Sequence, residues 1–247
     1  MKRYQSTSRA FRGYLRANGV PIKLERDNEQ DYRRILEQHI SYYGRIYDKF
    51  LPKSREASIL EIGCGEGLFL GFLAHLKYRN YLGIDLAAEK LEIAEKYHPN
   101  RVLNTDAFEY LRHHKNTFRI IFANFVLEHI PKKQTLEFLK LVHGALEPKG
   151  AFIASVPNMD CPLALFERYM DFTHEIGFTL ESLIWVFFEA GFKGIEVHDA
   201  APIPDTFISR LKYRISRKFL EFICRSIGVR SLKRYISEAI FCVGYKS

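Results

Sequence analysis

The chain has 247 residues, 47% of them hydrophobic and 27% charged, with a formal net charge of +8. This is a globular composition with ample residues for a packed core, and it excludes a disordered or fibrous protein. Apolar runs such as Leu183 to Phe188 are far too short for a membrane-spanning helix, which needs roughly 18 residues.

Lys2, Arg3, Arg9, Arg12 and Arg16 precede the first acid, Glu25. No apolar core follows them, so the start reads as a basic surface arm, with a transit peptide as the alternative and a secretory signal excluded. From Asn28 to Phe50, Tyr32, Ile35, Leu36, Ile40, Tyr43, Ile46 and Tyr47 recur at spacings of three and four. That predicts an amphipathic helix ended by Leu51-Pro52. Residues 1–54 are therefore expected to form an arm with cap helices, ahead of a main domain over 55–247.

Short apolar or β-branched runs at 58–62, 81–85, 100–103, 118–125 and 150–156 alternate with helical patterns. Such alternation predicts an α/β fold, a mainly parallel sheet with helices on both faces. Pro131 stands where the first residue of one helix would be, and Thr179 where the N-cap of another would be, with Gly191 ending it. Two further strands are expected, Gly194 to His198 and Ala239 to Tyr245.

Between those strands the charge is concentrated. Arg210, Lys212, Arg214, Arg217, Lys218, Arg225, Arg230, Lys233 and Arg234 face a single acid, Glu221, so this stretch accounts for the whole net charge. Leu211, Ile215, Phe219, Phe222, Ile223 and Ile227 recur there at helical spacing. The segment is read as an amphipathic helix that covers either the acceptor cleft or an anionic membrane surface. Nucleic acid is not expected as a partner, because no aromatic platform accompanies the charge. Cys64, Cys161, Cys224 and Cys242 form no close pair, which excludes a disulfide framework or zinc finger and fits a reducing cytoplasm.

The most informative stretch runs from Ser58 to Gly67, a strand that enters Gly63, Gly65 and Gly67 before a helix opens. Glycines there let the backbone turn sharply and approach a ligand closely. Asp85 ends the next strand 22 residues beyond Gly63, where a carboxylate can accept hydrogen bonds from ribose hydroxyls. The spacing is G-x-G-x-G, not the G-x-G-x-x-G of dinucleotide folds, and Glu61 and Glu66 lie beside it. Two carboxylates would repel a pyrophosphate but suit a cationic ligand with an amino group. S-adenosylmethionine is the expected cofactor.

Glu61 to Gly67 resembles motif I of the class I S-adenosylmethionine-dependent methyltransferases, and Asp85 is similar to their ribose-binding acid. Asn104 to Phe108 resembles the third motif, whose acid reaches the adenine amino group. Ile120 to Ile130, ending in Leu-Glu-His-Ile, resembles the fourth. The resemblance covers roughly 55 to 200 and the last strand. It implies a Rossmann-like, seven-stranded sheet with the last strand antiparallel. It also implies a cofactor site of Glu61, Gly63, Gly65, Asp85, Leu86, Asp106, Ala107 and Asn124.

The acceptor side follows the fourth and fifth strands, whose carboxyl ends border the crevice of an open α/β sheet. Glu128, His129 and Asn158 fall there, as does the loop from Arg168 to Phe178 with Asp171 and His174. Asp171 and His174 either pin this loop or orient an acceptor hydroxyl and take its proton. His129 divides the same way between packing and catalysis. His174, His129 and Asp171 are the candidate catalytic residues. A metal-assisted variant using Glu128, His129 or Asp171 is a further alternative, but no spacing dictates a site and no metal is assigned. The Asp-x-Thr-His and Phe-Thr-x-x-Ser-Leu pattern is similar to methyltransferases of bacterial surface-polysaccharide and O-antigen pathways. That resemblance implies a sugar hydroxyl acceptor, free or carrier-linked, while the basic segment over 210–236 sets the expectation of a cytoplasmic protein with a peripheral place on the inner face of the membrane. A quinone or small-phenol methyltransferase of the same fold and a non-catalytic cofactor-binding module are the alternatives.

Overall fold

A computed structural model describes residues 29–161, 168, 169, 171–200, 207–226 and 237–247. The basic N-terminal arm and Ile227, Arg230, Lys233 and Arg234 lie outside the described residues. The elements in chain order are α1 (Glu29–Tyr47), β1 (Ile59–Ile62), α2 (Leu68–His75), β2 (Tyr81–Asp85), α3 (Ala88–Tyr97), β3 (Val102–Asn104) and α4 (Ala107–His113). They continue with β4 (Phe118–Asn124), α5 (Thr135–Ala145), β5 (Leu146–Pro157), α6 (Leu180–Glu189), β6 (Lys193–Asp199), α7 (Phe207–Ser226) and β7 (Ala239–Tyr245).

The seven strands form one sheet in the order β3-β2-β1-β4-β5-β7-β6. β1 to β5 pair in parallel, and β7 runs antiparallel to both β5 and β6. The order reverses between β1 and β4, the place where ligands bind in open α/β sheets.

Both faces of the central strands are buried, which is why these strands read as nearly continuous apolar runs. Leu60, Ile62, Ile121, Ala123, Phe152, Ala154, Ile240 and Cys242 pack on one face with Leu111 of α4, Phe138 and Leu139 of α5, and Leu183 and Phe187 of α6. Their alternates Ile59, Ile120, Phe122, Ala151, Ile153, Phe241 and Val243 pack on the other, with Tyr43 and Tyr47 of α1 and Phe69 and Phe72 of α2. The strand period of two thus divides one sequence pattern between two cores.

α1 begins as a cap over the carboxyl edge and ends as a wall of the second core. In its first turn Tyr32 stacks on Tyr97 at 3.7 Å and its hydroxyl donates to the Glu66 carbonyl at the glycine turn. In its last turn Tyr47 is fully buried against Phe122 and Phe241, and its hydroxyl lies 2.6 Å from Ser155 Oγ.

The helix ends follow local chemistry. Thr179 and Ser182 form a reciprocal capping box at the start of α6. Gly191, at φ +101°, closes that helix, with its N–H bonded to Phe188 O and that of Phe192 to Phe187 O. Pro131 does not begin α5. Its ψ of 134° is extended, a 3-10 turn over Lys132–Gln134 intervenes, and the helix starts at Thr135. The third strand lies at 102–104, not 100–103, because Asn100 takes a left-handed φ of 61° in the preceding turn. β5 begins at Leu146, which pairs with Phe118 across a register irregularity.

Burial of Tyr47 makes α1 part of the core. Tyr47→Ala is expected to cost about 3–5 kcal/mol, as other large aromatic truncations do. Urea unfolding measures this, and a loss below about 1 kcal/mol would detach α1 from the cooperative unit.

Candidate active site

The turn after β1 is held from both sides. Gly63 N and Cys64 N donate to Ile84 O at 2.8 and 3.1 Å, and Gly67 N donates to Cys64 O. Gly63, Gly65 and Gly67 all have positive φ, between 52° and 81°. A Cβ on Gly63 would stand 2.5 Å from Val126 Cγ2, so only glycine allows the turn and the loop after β4 to touch. Asp85 fastens the turn to β2. One carboxylate oxygen accepts from Gly65 N and the other from Ala87 N, each at 2.8 Å.

Beside this turn lies a cavity of about 220 Å³ lined by Glu61, Gly63, Gly65, Glu66, Lys90 and Asn124, with His39 and Tyr43 from α1. A larger hollow of about 530 Å³ opens where strands begin, around Ser58, Asn80 and Arg119. That is the edge opposite the crevice of such sheets. Of the residues expected at the cofactor, Glu61, Gly63, Gly65 and Asn124 line the smaller cavity and Asp85 braces its wall. Leu86 stands exposed next to Asp85. Asp106 caps α4 by accepting from Phe108 N and Glu109 N, with Ala107 opening the helix. These three do not line the cavity.

Glu61 is buried, with Oε2 bonded to nothing. Burial, and next the charge of Asp85, push its carboxyl well above the ordinary 4.5. A ligand ammonium would satisfy that oxygen and reverse the shift. Cys64 packs against Leu70 and Leu91 as a small hydrophobe, and burial holds its thiol protonated.

The loop after β4 makes a 3-10 turn over Leu127–His129, immediately after the Val126 that meets Gly63. Glu128 O accepts from Glu175 N at 2.7 Å and Ile176 N at 3.2 Å, and Arg168 Nη1 donates to His174 O. These bonds bring His174 beside His129, ring centroids 4.7 Å apart. Glu128, His129 and His174 each offer a donor atom within 4.8 Å of the others. Glu128 is 1% exposed, and neither of its carboxylate oxygens has a hydrogen-bond partner, nor does the buried Nδ1 of His174. Burial pushes the Glu128 carboxyl up to about 8.

Asp171 stands behind His129 and outside that group. Thr173 Oγ1 lies 2.7 Å from Asp171 Oδ1 and 2.8 Å from His129 Nδ1. A hydroxyl has one proton and the carboxylate can only accept, so Thr173 donates to Asp171 and accepts from His129 Nδ1–H. The lone pair of His129 is therefore on Nε2. Burial, then His174, hold the His129 ring below its ordinary 6.5, so it is neutral near pH 7. Burial alone would raise the Asp171 carboxyl, but the Thr173 hydroxyl and amide, with His129 and His174, hold it below 3.8. Thr173, Glu128 and Lys90 were not among the residues assigned from sequence. Glu128 was visible in the Leu-Glu-His motif and Thr173 in the Asp-x-Thr-His pattern, while Lys90 carried no signal of its own.

A methyltransferase-domain family profile matches residues 32–197, two thirds of the chain. The chain belongs to this methyltransferase family. A carboxy-S-adenosyl-L-methionine synthase of Campylobacter jejuni is 28% identical over 149 residues, 58% of this chain and 63% of that relative. An S-adenosylmethionine-dependent methyltransferase of Archaeoglobus fulgidus superposes with a TM-score of 0.66 at 20% identity, covering 85% of this chain and 94% of that one. Phosphoethanolamine N-methyltransferase 2 of Haemonchus contortus, solved with S-adenosylhomocysteine, gives 0.58 at 22% identity over 85% of this chain and 53% of its own. The glycine turn, the orphaned Glu61 oxygen and the Asp85 brace fit S-adenosylmethionine as the methyl donor. Once bound, it supplies an electrophilic methyl carbon on a sulfonium.

Two outcomes follow from this geometry. Asp85→Ala is expected to weaken cofactor binding about 10- to 150-fold by calorimetry, the worth of one hydrogen bond to a charged group at roughly 1.5–3 kcal/mol. Cofactor binding should release a proton, because the ligand ammonium lowers a Glu61 carboxyl that burial had raised. Affinity then falls as pH drops below the ligand-free value of Glu61, and Glu61→Gln removes the release. Calorimetry in two buffers of different ionisation heat reads this directly, and proton uptake would contradict it.

Proposed function

We propose that the methyltransferase O-methylates a sugar hydroxyl of a surface glycan, free or carrier-linked. The observation that carries the reading is the cluster of buried Glu128 with part-buried His129 and His174, one short turn from the glycine loop. A sugar hydroxyl is a poor nucleophile near neutral pH. It reacts readily only when a base takes its proton or a cation binds its oxygen, and this cluster gathers unpartnered lone pairs suited to either. Asp171 and Thr173 act as positioning residues that orient the His129 ring. Holding oxygen, methyl carbon and sulfur in line supplies much of the remaining acceleration.

Two aromatic rings support a sugar acceptor. Tyr169 and Phe172, on the loop that carries His174, are 75% and 90% exposed. Their faces offer apolar platforms for the C–H face of a pyranose, at about 0.5–1.5 kcal/mol each if they act as other ring contacts do. Labelled cofactor with panels of nucleotide sugars, glycans and polyprenyl phenols tests the reading. Label is expected in a glycan, and Phe172→Ala should raise KM about 2- to 10-fold with kcat little changed. Label in the phenols alone overturns the sugar reading in favour of the quinone-type alternative, and label nowhere favours a binding module.

The same reading takes an anionic membrane surface as partner. Phe207, Ile208, Leu211, Ile215, Phe219 and Phe222 are exposed on α7, next to exposed Lys212, Arg214 and Lys218. An apolar stripe of this size in water is costly, and flanking cations match anionic lipid. Arg217 belongs to the scaffold instead, bonded to Asp199 at 3.2 Å and facing Glu221. No described helix is long and apolar enough to cross a membrane. Co-sedimentation with anionic vesicles should occur at low salt and weaken at high salt. Arg214→Glu with Lys218→Glu should reduce it, at about 1 kcal/mol per charge. Protein that stays in the supernatant at both salts overturns the membrane partner.

A further inference from the structure

We infer that Glu128, His129 and His174 form a binding site for one divalent transition-metal ion. The inference deepens the proposed O-methylation by naming how the cluster acts on an acceptor oxygen. Three observations meet here. The donors come from two separate segments, and the paired N–H groups of Glu175 and Ile176 on the Glu128 carbonyl clamp those segments together. Glu128 is a wholly buried carboxylate whose two oxygens have no partner, and the buried Nδ1 of His174 has none. The Asp171–Thr173 pair fixes the tautomer of His129 so that Nε2 carries the lone pair.

Each feature has a physical reason in a metal site. A buried carboxylate without hydrogen bonds is costly unless a cation accompanies it. Metal-ligating histidines hold their second ring nitrogen as a donor to an outer group, which sets the tautomer and ring orientation, and Thr173 takes that place here. The donors lie within 4.8 Å of one another, and bonds of about 2.1 Å require separations of roughly 3 Å. Side-chain adjustments of order 1–2 Å close that difference. Two imidazoles and one carboxylate suit zinc, iron, cobalt, nickel or manganese better than the oxygen-seeking magnesium or calcium.

Three protein donors leave coordination positions open for an acceptor hydroxyl. A hydroxyl bound there surrenders its proton to solvent more readily and keeps the electron pair on oxygen. That oxygen attacks the methyl carbon, and the carbon–sulfur bond returns its pair to the sulfonium, leaving a neutral thioether. No oxidant or reductant is needed.

The test uses the full chain, stripped with a chelator and titrated with Co²⁺ with the cofactor present. One Co²⁺ per chain is expected, with visible ligand-field absorption. Glu128→Gln and His174→Ala should each weaken Co²⁺ binding tenfold or more, while cofactor affinity stays within about twofold. Absence of a saturable Co²⁺ site in the wild type, or unchanged binding in both variants, overturns the site. Should a variant fail to fold, pulsed EPR of the Cu²⁺-loaded wild type counts coordinated imidazoles. Two are expected, and any other number overturns the assignment. The acceptor reading fails separately: stoichiometric metal with no label in any glycan sinks the sugar and leaves the site. Sugar methylation that survives chelation sinks the site and leaves the sugar.

Discussion

Gly63 against Val126 is the contact on which the rest of the site depends. A side chain at position 63 would collide with Val126 Cγ2 at 2.5 Å, so the turn after β1 and the loop after β4 can share this space only through a glycine. Because they share it, a methyl donor held at the glycine turn lies next to the 3-10 turn that carries Glu128 and His129. The same contact sits at the reversal of strand order, between β1 and β4, where adjacent loops diverge to opposite faces and leave a crevice. Topology opens the crevice, and one missing Cβ brings its two walls together.

Around that contact, carboxylates in similar surroundings take different roles because their partners differ. Asp85 is satisfied at both oxygens by backbone N–H groups and acts as a brace. Asp106 spends one oxygen on the first turn of α4. Glu61 and Glu128 are buried with unfilled oxygens, and burial disfavours their charged forms. A buried polar group left unpaired costs stability, so its persistence at a cleft points to a ligand that completes it. The two orphaned carboxylates stand on the two walls of the crevice, Glu61 beside the glycine turn and Glu128 on the loop after β4, the proposed acceptor side.

α1 and α7 show how the same amphipathic pattern reaches opposite ends. The apolar face of α1 ends in tyrosines, which bury their rings beside Phe122 and Phe241 while Tyr47 and Tyr42 find Ser155 Oγ and Ala200 O for their hydroxyls. In α7 the phenylalanines and isoleucines stay exposed, and the helix is tied to the sheet through Arg217 and Asp199. A periodic stripe tells that a face wants cover. It does not tell what covers it.

The sequence by itself determined the sheet and the cofactor turn, because both rest on local constraints. Apolar runs of strand length, glycines that permit positive φ and a carboxylate ending the second strand are all written in consecutive residues. The N-cap Thr179 and the closing Gly191 were legible for the same reason. Pro131 misled because proline also precedes a 3-10 turn, and only the extended ψ distinguishes the two. The loops after β4 and β5 were legible as a set of residue types, with His129, His174 and Asp171 singled out, but not as an arrangement. His129 and His174 are 45 positions apart, and nothing local says that their rings lie 4.7 Å from each other or that Thr173 stands between His129 and Asp171. Tertiary structure alone decided this, through two hydrogen bonds to the Glu128 carbonyl that close a long loop. It also decided which carboxylates were left without partners, because burial is a property of the packed chain and not of any segment in it.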